Sequence, residues 1–246
     1  MEILQITDLH ITRDIDFEKN RCKPYHELKR ILDFIHINHS KNSNLVITGD
    51  LSGDDSSESY THIRRLLKTY PFKISLLPGN HDNPKIMESM CDNQISFEIP
   101  TFSDENYIFF NFNTQVDGEI GGCIKENQIR DFSKKIHDYV KNIVIFTHHP
   151  IVKIDSKWVD EHVASNSELL IDLMHSYKDV QFNVFSGHVH QEFFKIIKNI
   201  RIFTTPSTCY QFKPKSDGYC IDDKLSCGYR VIRLHDNTVT TNVVRL

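Results

Sequence analysis

Five short polar words hold the side chains best suited to chemistry. They are Asp8-Leu9-His10, Gly49-Asp50, Gly79-Asn80-His81-Asp82, His148-His149-Pro150 and Gly187-His188-Val189-His190. Each offers carboxylate oxygen, amide oxygen or imidazole nitrogen, the hard and borderline donors that bind metal ions. None contains cysteine, which disfavours a thiolate or iron–sulfur site. In an extended segment alternate residues share a face, so Asp8 and His10 are expected to point to one side, as are His188 and His190. Gly49 and Gly79 permit tight turns and close backbone approach beside Asp50 and Asn80. Asp8, His10, Asp50, Asn80, His148, His188 and His190 make seven ligands, whereas one closed structural zinc takes four. Seven, with a bridging carboxylate and water completing the shells, suit two adjacent ions. Such a pair, roughly 3.5–4 Å apart, can clamp both the attacking and the leaving oxygen of an in-line displacement at phosphorus. Taken singly, Asp8-x-His10, Gly49-Asp50 and His148-His149 are weak, since Gly-Asp is a turn signal and a His pair is more often surface than ligand. Gly79-Asn80-His81-Asp82 is firmer, and Gly187-His188-x-His190 stands between. Their joint occurrence is the signal.

The elements that must position these words follow from hydrophobic patterning. Glu2–Ile6, Leu45–Thr48, Ile74–Leu77, Ile143–Thr147 and Phe182–Phe185 are apolar runs, as strands buried on both faces should be, and each leads at once into polar residues. Ligand sites in α/β sheets lie outside the carboxyl ends of the strands, where these words fall. Further strands are expected at Tyr107–Phe112, Phe193–Ile197, Arg201–Thr204, Tyr229–Leu234 and Thr238–Val243. A helix is expected over Pro24–His36, where Leu28, Ile31, Leu32 and Ile35 keep helical spacing. Another is expected over Ser57–Thr69, opened by a Ser56 cap and burying Ile63, Leu66 and Leu67. Lys125–His137 and Glu168–His175 complete the set. This alternation of strand and helix indicates the α/β class. No linker rich in Pro, Gly or Ser sets off the strand-rich part from Phe193, so residues 1–246 are expected to form a single domain.

Composition excludes several classes. The 246 residues carry 29 Lys and Arg against 33 Asp and Glu, a net charge of −4, so no basic field exists to grip nucleic acid. Hydrophobic residues at 39% and aromatics at 11% suffice for a sizeable core and exclude wholesale disorder. There is no apolar run of membrane-spanning length, and MEILQITDLH has no basic region followed by an apolar stretch. A soluble, cytoplasmic protein with no membrane partner is expected. The cysteines (Cys22, Cys91, Cys123, Cys209, Cys220, Cys227) form no Cys-x-x-Cys pair and imply neither a disulfide framework nor a zinc knuckle. Of the 14 histidines, by contrast, His10, His81, His148, His149, His188 and His190 fall inside the polar words.

The ordered set D-x-H, G-D, G-N-H-D, H-H-P and G-H-x-H resembles that of the calcineurin-like metallophosphoesterases. Ser156-Lys157-Trp158-Val159-Asp160-Glu161-His162 and Thr205-Pro206-Ser207-Thr208-Cys209-Tyr210-Gln211-Phe212-Lys213-Pro214 further resemble segments of bacterial class III 3′,5′-cyclic AMP phosphodiesterases. The resemblance covers nearly the whole chain. It implies an αββα sandwich of two mixed β-sheets flanked by helices. It also implies Asp8, His10 and His190 on one metal, Asn80, His148 and His188 on the other, and Asp50 bridging. His148 rather than His149 is the implied ligand, from its spacing to Pro150. His81 is implied to face the phosphate rather than bind metal, with Asp54, Asp55 or Asp82 orienting it. The donor types admit manganese, iron, zinc or cobalt, and the resemblance favours iron and manganese as cofactors, with zinc possible. The expected reaction is hydrolysis of 3′,5′-cyclic AMP, a small-molecule nucleotide, to 5′-AMP. Asn80 and His81 would meet the charge that builds on the phosphoryl oxygens, and His81 would donate to the leaving alkoxide. The alternatives are another diester, a phosphomonoester, or a binding scaffold, which would be expected to have lost ligands. Trp158 is expected to be a packed core aromatic rather than a wall for the base.

Overall fold

The computed structural model describes residues 1–97, 107–136 and 141–246. In the first sheet β1 (Glu2–Ile6), β2 (Asn44–Thr48), β3 (Lys73–Leu77) and β4 (Ile95–Phe97) run parallel. On the far side β10 (Gly228–His235) lies antiparallel to β1, and β11 (Thr238–Arg245) antiparallel to β10. The order is β11-β10-β1-β2-β3-β4. In the second sheet β5 (Tyr107–Phe112), β6 (Asn142–Thr147), β7 (Gln181–Ser186) and β9 (Ile200–Thr204) run parallel. There β8 (Phe193–Ile197) is the antiparallel edge, in the order β5-β6-β7-β9-β8.

Alternation along the strands sorts side chains into layers. Ile3, Val46 and Leu77 of the first sheet meet Phe109, Val144, Phe146, Phe185 and Phe203 of the second in one buried cluster between the sheets. The outer face of the first sheet, through Leu4, Ile6, Leu45 and Ile47, packs on α1 (Pro24–Asn38), α2 (Ser57–Leu67) and α3 (Pro84–Ser89). The outer face of the second, through Ile108, Phe110, Ile143 and Ile145, packs on α4 (Glu126–Ser133) and α6 (Ser167–Ser176). Two mixed sheets flanked by helices result, as the resemblance implied. The α1 residues Leu28, Ile31, Leu32 and Ile35 are fully withdrawn from water, each stabilising the fold by about 1.5–3 kcal/mol. Among the described residues no helix is long and apolar enough to cross a membrane.

Register matters most for the site. Ile6 pairs with Ile47, Thr48 with Leu77, and Phe146 with Phe185, so neighbouring strands end level with one another. The loops after β1, β2, β3, β6 and β7 therefore leave from one edge.

Every strand read from the sequence is present, β1, β5 and β8 at the expected bounds. Three short elements were not foreseen: β4, α3 and α5 (Lys157–Asp160). The helix expected to reach His137 stops at Ser133, where turn bonds from Lys135 N to Phe132 O and from Ile136 N to Ser133 O replace the helical ladder. His137 itself lies outside the described residues.

Candidate metal centre

Beyond the strand ends the backbone turns left-handed. Asp8 (φ 54°), His10 (φ 48°), Asp50 (φ 51°), His188 (φ 68°) and His190 (φ 46°) all have positive φ. The extended geometry expected for Asp8/His10 and for His188/His190 is therefore wrong, because both members of each pair are left-handed. Such a conformation costs on the order of 1–3 kcal/mol per non-glycine residue and persists only where its surroundings over-determine it. Here Asp8 N donates to Gly49 O and His10 N to Asp50 O, both at 3.0 Å, which fastens the β1 loop to the β2 loop. His188 N donates to the Asp8 carboxylate at 3.1 and 3.0 Å, which ties the second sheet to the first. A Cβ at Gly79 would collide with the Asp50 carboxylate, so that approach requires glycine.

The side chains converge in two groups that share Asp50. In the first, His10 Nε2 faces His190 Nε2 at 3.1 Å, and His190 Nε2 lies 3.5 Å from Asp8 Oδ1. In the second, Asn80 Oδ1 faces His148 Nε2 at 3.2 Å and His188 Nδ1 at 3.0 Å. Asp50 turns Oδ2 toward His10 at 3.8 Å and Oδ1 toward His148 at 3.4 Å. All seven expected ligands are thus brought together.

Backbone carbonyls fix the ring orientations. His148 Nδ1 donates to Thr48 O at 2.7 Å and His190 Nδ1 to Tyr210 O at 2.8 Å, which leaves each Nε2 free for the centre. His149 is spent elsewhere, with Nδ1 on Thr114 Oγ1 at 2.8 Å and Nε2 on Ile120 O at 2.9 Å. Burial drives the His10 pKa down to about 3 and holds His188 well below its usual value. Burial also opposes a charge on His148, but Asp50 beside it prevails and raises the pKa to about 9. Asp50 is likewise buried, yet the charge of His148 carries its pKa well below the ordinary carboxylate range. Buried carboxylates here demand positive charge, and opposed imidazole nitrogens demand a proton or a cation between them. The donor set fits two metal ions with Asp50 between.

Residues 1–192 match the profile of the calcineurin-like phosphoesterases. The chain belongs to that family. Over 249 residues, and 90% of its relative's length, the whole chain is 30% identical to "3′,5′-cyclic adenosine monophosphate phosphodiesterase CpdA" of Vibrio vulnificus. It is 28% identical over 248 residues to a "3′,5′-cyclic-nucleotide phosphodiesterase" of Nostoc, again over the whole chain and 92% of the relative. Its fold is shared with a dimetal phosphatase of Danio rerio, at a TM-score of 0.72 and 12% identity, over 98% of this chain and 95% of that one.

The acidic residues considered for orienting His81 do other work in this phosphoesterase. Asp54 accepts from Arg13 N at 3.0 Å and Arg13 Nε at 3.3 Å, and from Ser56 Oγ at 2.6 Å. Asp55 is exposed. Asp82 is a clamp between loops. Its carboxylate accepts from Leu51 N at 2.9 Å, Ser52 N at 3.1 Å, Gly79 N at 2.9 Å and Tyr60 OH at 3.2 Å. None of the three bonds the His81 ring. That ring is exposed and stands edge-on to His10, with centroids 5.1 Å apart. Because Asp82 unites the Asp50 loop with the Asn80 turn, Asp82→Asn turns an amide N–H toward donors it cannot accept from. It should cost about 1.5–3 kcal/mol in chemical denaturation, and an unchanged midpoint would contradict the clamp.

Tyr210 is the functional neighbour the sequence reading did not single out. Its ring lies stacked on His10, with centroids 5.8 Å apart, while its carbonyl orients His190. Only its place in the Thr205–Pro214 stretch pointed to it. Trp158 packs on Phe212 with centroids 4.8 Å apart, as the core reading expected, yet it also lines the cleft over the metal centre.

Proposed function

We propose that residues 1–246 form one domain, a dinuclear-metal phosphodiesterase acting in the cytoplasm and hydrolysing 3′,5′-cyclic AMP to 5′-AMP. The observation that carries this reading is the pair of ligand groups sharing Asp50, with the exposed His81 ring beside His10 and Asp50. Asp8, His10 and His190 would hold one ion, Asn80, His148 and His188 the other, with iron or manganese favoured over zinc by the family resemblance rather than by the donor types. The names of the relatives, at about 30% identity over the whole chain, support a cyclic nucleotide as substrate.

When bound, the ions supply Lewis-acid charge at the phosphoryl oxygens and make water a nucleophile near neutral pH. The chain's own residues do the rest. Asn80 commits Oδ1 to the two imidazoles, which leaves Nδ2 to donate to a phosphoryl oxygen. His81, whose ring lines the cleft, would protonate the departing O3′ as the P–O3′ bond breaks. The cleft above, of about 160 Å³, is walled by Trp158, Tyr210, Phe212 and Ile120, apolar surface suited to a nucleoside.

Assay of the manganese-loaded protein against 3′,5′- and 2′,3′-cyclic nucleotides, bis(p-nitrophenyl) phosphate and p-nitrophenyl phosphate tests the reading. The highest kcat/KM should fall on a 3′,5′-cyclic nucleotide, and a preference for the monoester would overturn it. Metal removal gives a second expected result. A ligand present at 100 times its Kd stabilises by about 2.7 kcal/mol, and a domain of this size shifts by about 2–4 °C per kcal/mol. Chelated protein should therefore melt about 5–10 °C lower and recover on adding manganese. Identical melting curves would count against ions at this site.

A further inference from the structure

Two imidazoles besides the seven expected ligands open onto the cleft, His81 and His162. His81 stands beside the first group. The His162 ring stands beside the second, edge-on to His188, with centroids 6.0 Å apart and planes at 86°. The end of α5 places it there: His162 N donates to Val159 O at 2.9 Å, which closes the turn that follows the helix. Its ring is half-buried and makes no hydrogen bond or ion pair among the described residues. It belongs to none of the clusters of metal-ligating atoms found among those residues. Four residues earlier, the Trp158 indole N–H is buried without an acceptor among the described residues, while its side chain lines the same cleft. Buried polar groups are nearly always paired, so the orphaned Trp158 N–H, four residues from a half-buried His162 imidazole with no partner among the described residues, points to a ligand at this cleft.

We propose that His162 is a second substrate-contacting imidazole. Its N–H donates to a non-bridging phosphoryl oxygen of the bound phosphodiester, on the flank opposite His81. This rests on the phosphodiesterase reading above. The physical need is plain: carboxylates occupy the floor of the site, so charge gathering on the phosphoryl oxygens at its open side needs donors from the walls. A contact to phosphoryl oxygen acts whatever the leaving group is, unlike the role given to His81.

His162→Ala should lower kcat/KM by about 10- to 100-fold, to the same degree for 3′,5′-cyclic AMP and for bis(p-nitrophenyl) phosphate. Metal content by elemental analysis should be unchanged. Calorimetric affinity of the metal-loaded protein for orthophosphate should fall by a similar factor. His162→Gln keeps a donor and should recover most of the loss, whereas His162→Phe keeps the ring beside His188 and should not. Full activity and phosphate affinity in His162→Phe, or loss of metal from it, would overturn the proposal. If the wild-type protein hydrolyses no diester, the phosphodiesterase reading fails, and the phosphate-binding comparison still decides the contact.

Discussion

Asp50→Asn should reduce kcat/KM by about 10³- to 10⁴-fold, the equivalent of several kcal/mol of transition-state charge stabilisation. It should also leave the purified protein with at most one metal equivalent. The change is nearly isosteric, so the left-handed turn at Asp50 and the His10 N to Asp50 O bond have no steric reason to break. What changes is charge. Asp50 turns its two oxygens toward different ligand groups, Oδ2 toward His10 and Oδ1 toward His148. Oδ1 also accepts from His81 N at 3.0 Å, which is expected to fix the orientation of the substituted amide. That amide would then keep its oxygen toward His81 and His148 and turn NH2 toward the first group. There it replaces an anion with a donor. The first group should lose its ion, and the second should bind its ion more weakly. Circular dichroism should match the wild type, so that the effect is read as chemistry rather than unfolding. A variant with both equivalents and wild-type turnover would remove Asp50 from the centre.

Why so much of this site was legible in the sequence can be argued from particular residues. Strands such as β5 and β8 carry their own signal, because short apolar runs rich in aromatic and β-branched residues suit a pleated element better than a helix. Level strand ends then bring the words after Ile6, Thr48, Leu77, Thr147 and Ser186 to one edge without further instruction. Illegible were features that live in the backbone. The carbonyls of Thr48 and Tyr210 orient His148 and His190, yet a carbonyl leaves no mark in residue identity. The left-handed turns at Asp8 and His10 were misread as extended, because alternation places neighbours on a face only when φ is that of a strand. Asp82 looked like a partner for the adjacent His81. Its side chain turns inward instead, because the loops after β2 and β3 present N–H groups that only a buried acceptor can satisfy. Elements as short as β4, α3 and α5 fall below the length at which periodicity can be read.

His81→Ala should separate chemistry from assembly. His81 offers its ring to the cleft and only its backbone N–H to Asp50, so removing the ring leaves every expected ligand and its carbonyl partner in place. Metal content and melting temperature should stay at wild-type values. Turnover of 3′,5′-cyclic AMP should fall by about 10²- to 10⁴-fold, the usual contribution of a positioned proton donor. The size of the loss should depend on the leaving group. An O3′ alkoxide is a strong base that needs a proton as it departs, whereas p-nitrophenolate leaves readily without one. Bis(p-nitrophenyl) phosphate should therefore be hydrolysed far closer to the wild-type rate, a contrast not expected of His162→Ala. Equal losses on both substrates would make His81 a phosphoryl contact rather than a proton donor, and unchanged turnover would take it out of the mechanism. Loss of metal would place it among the ligands, against the open position in which its ring stands.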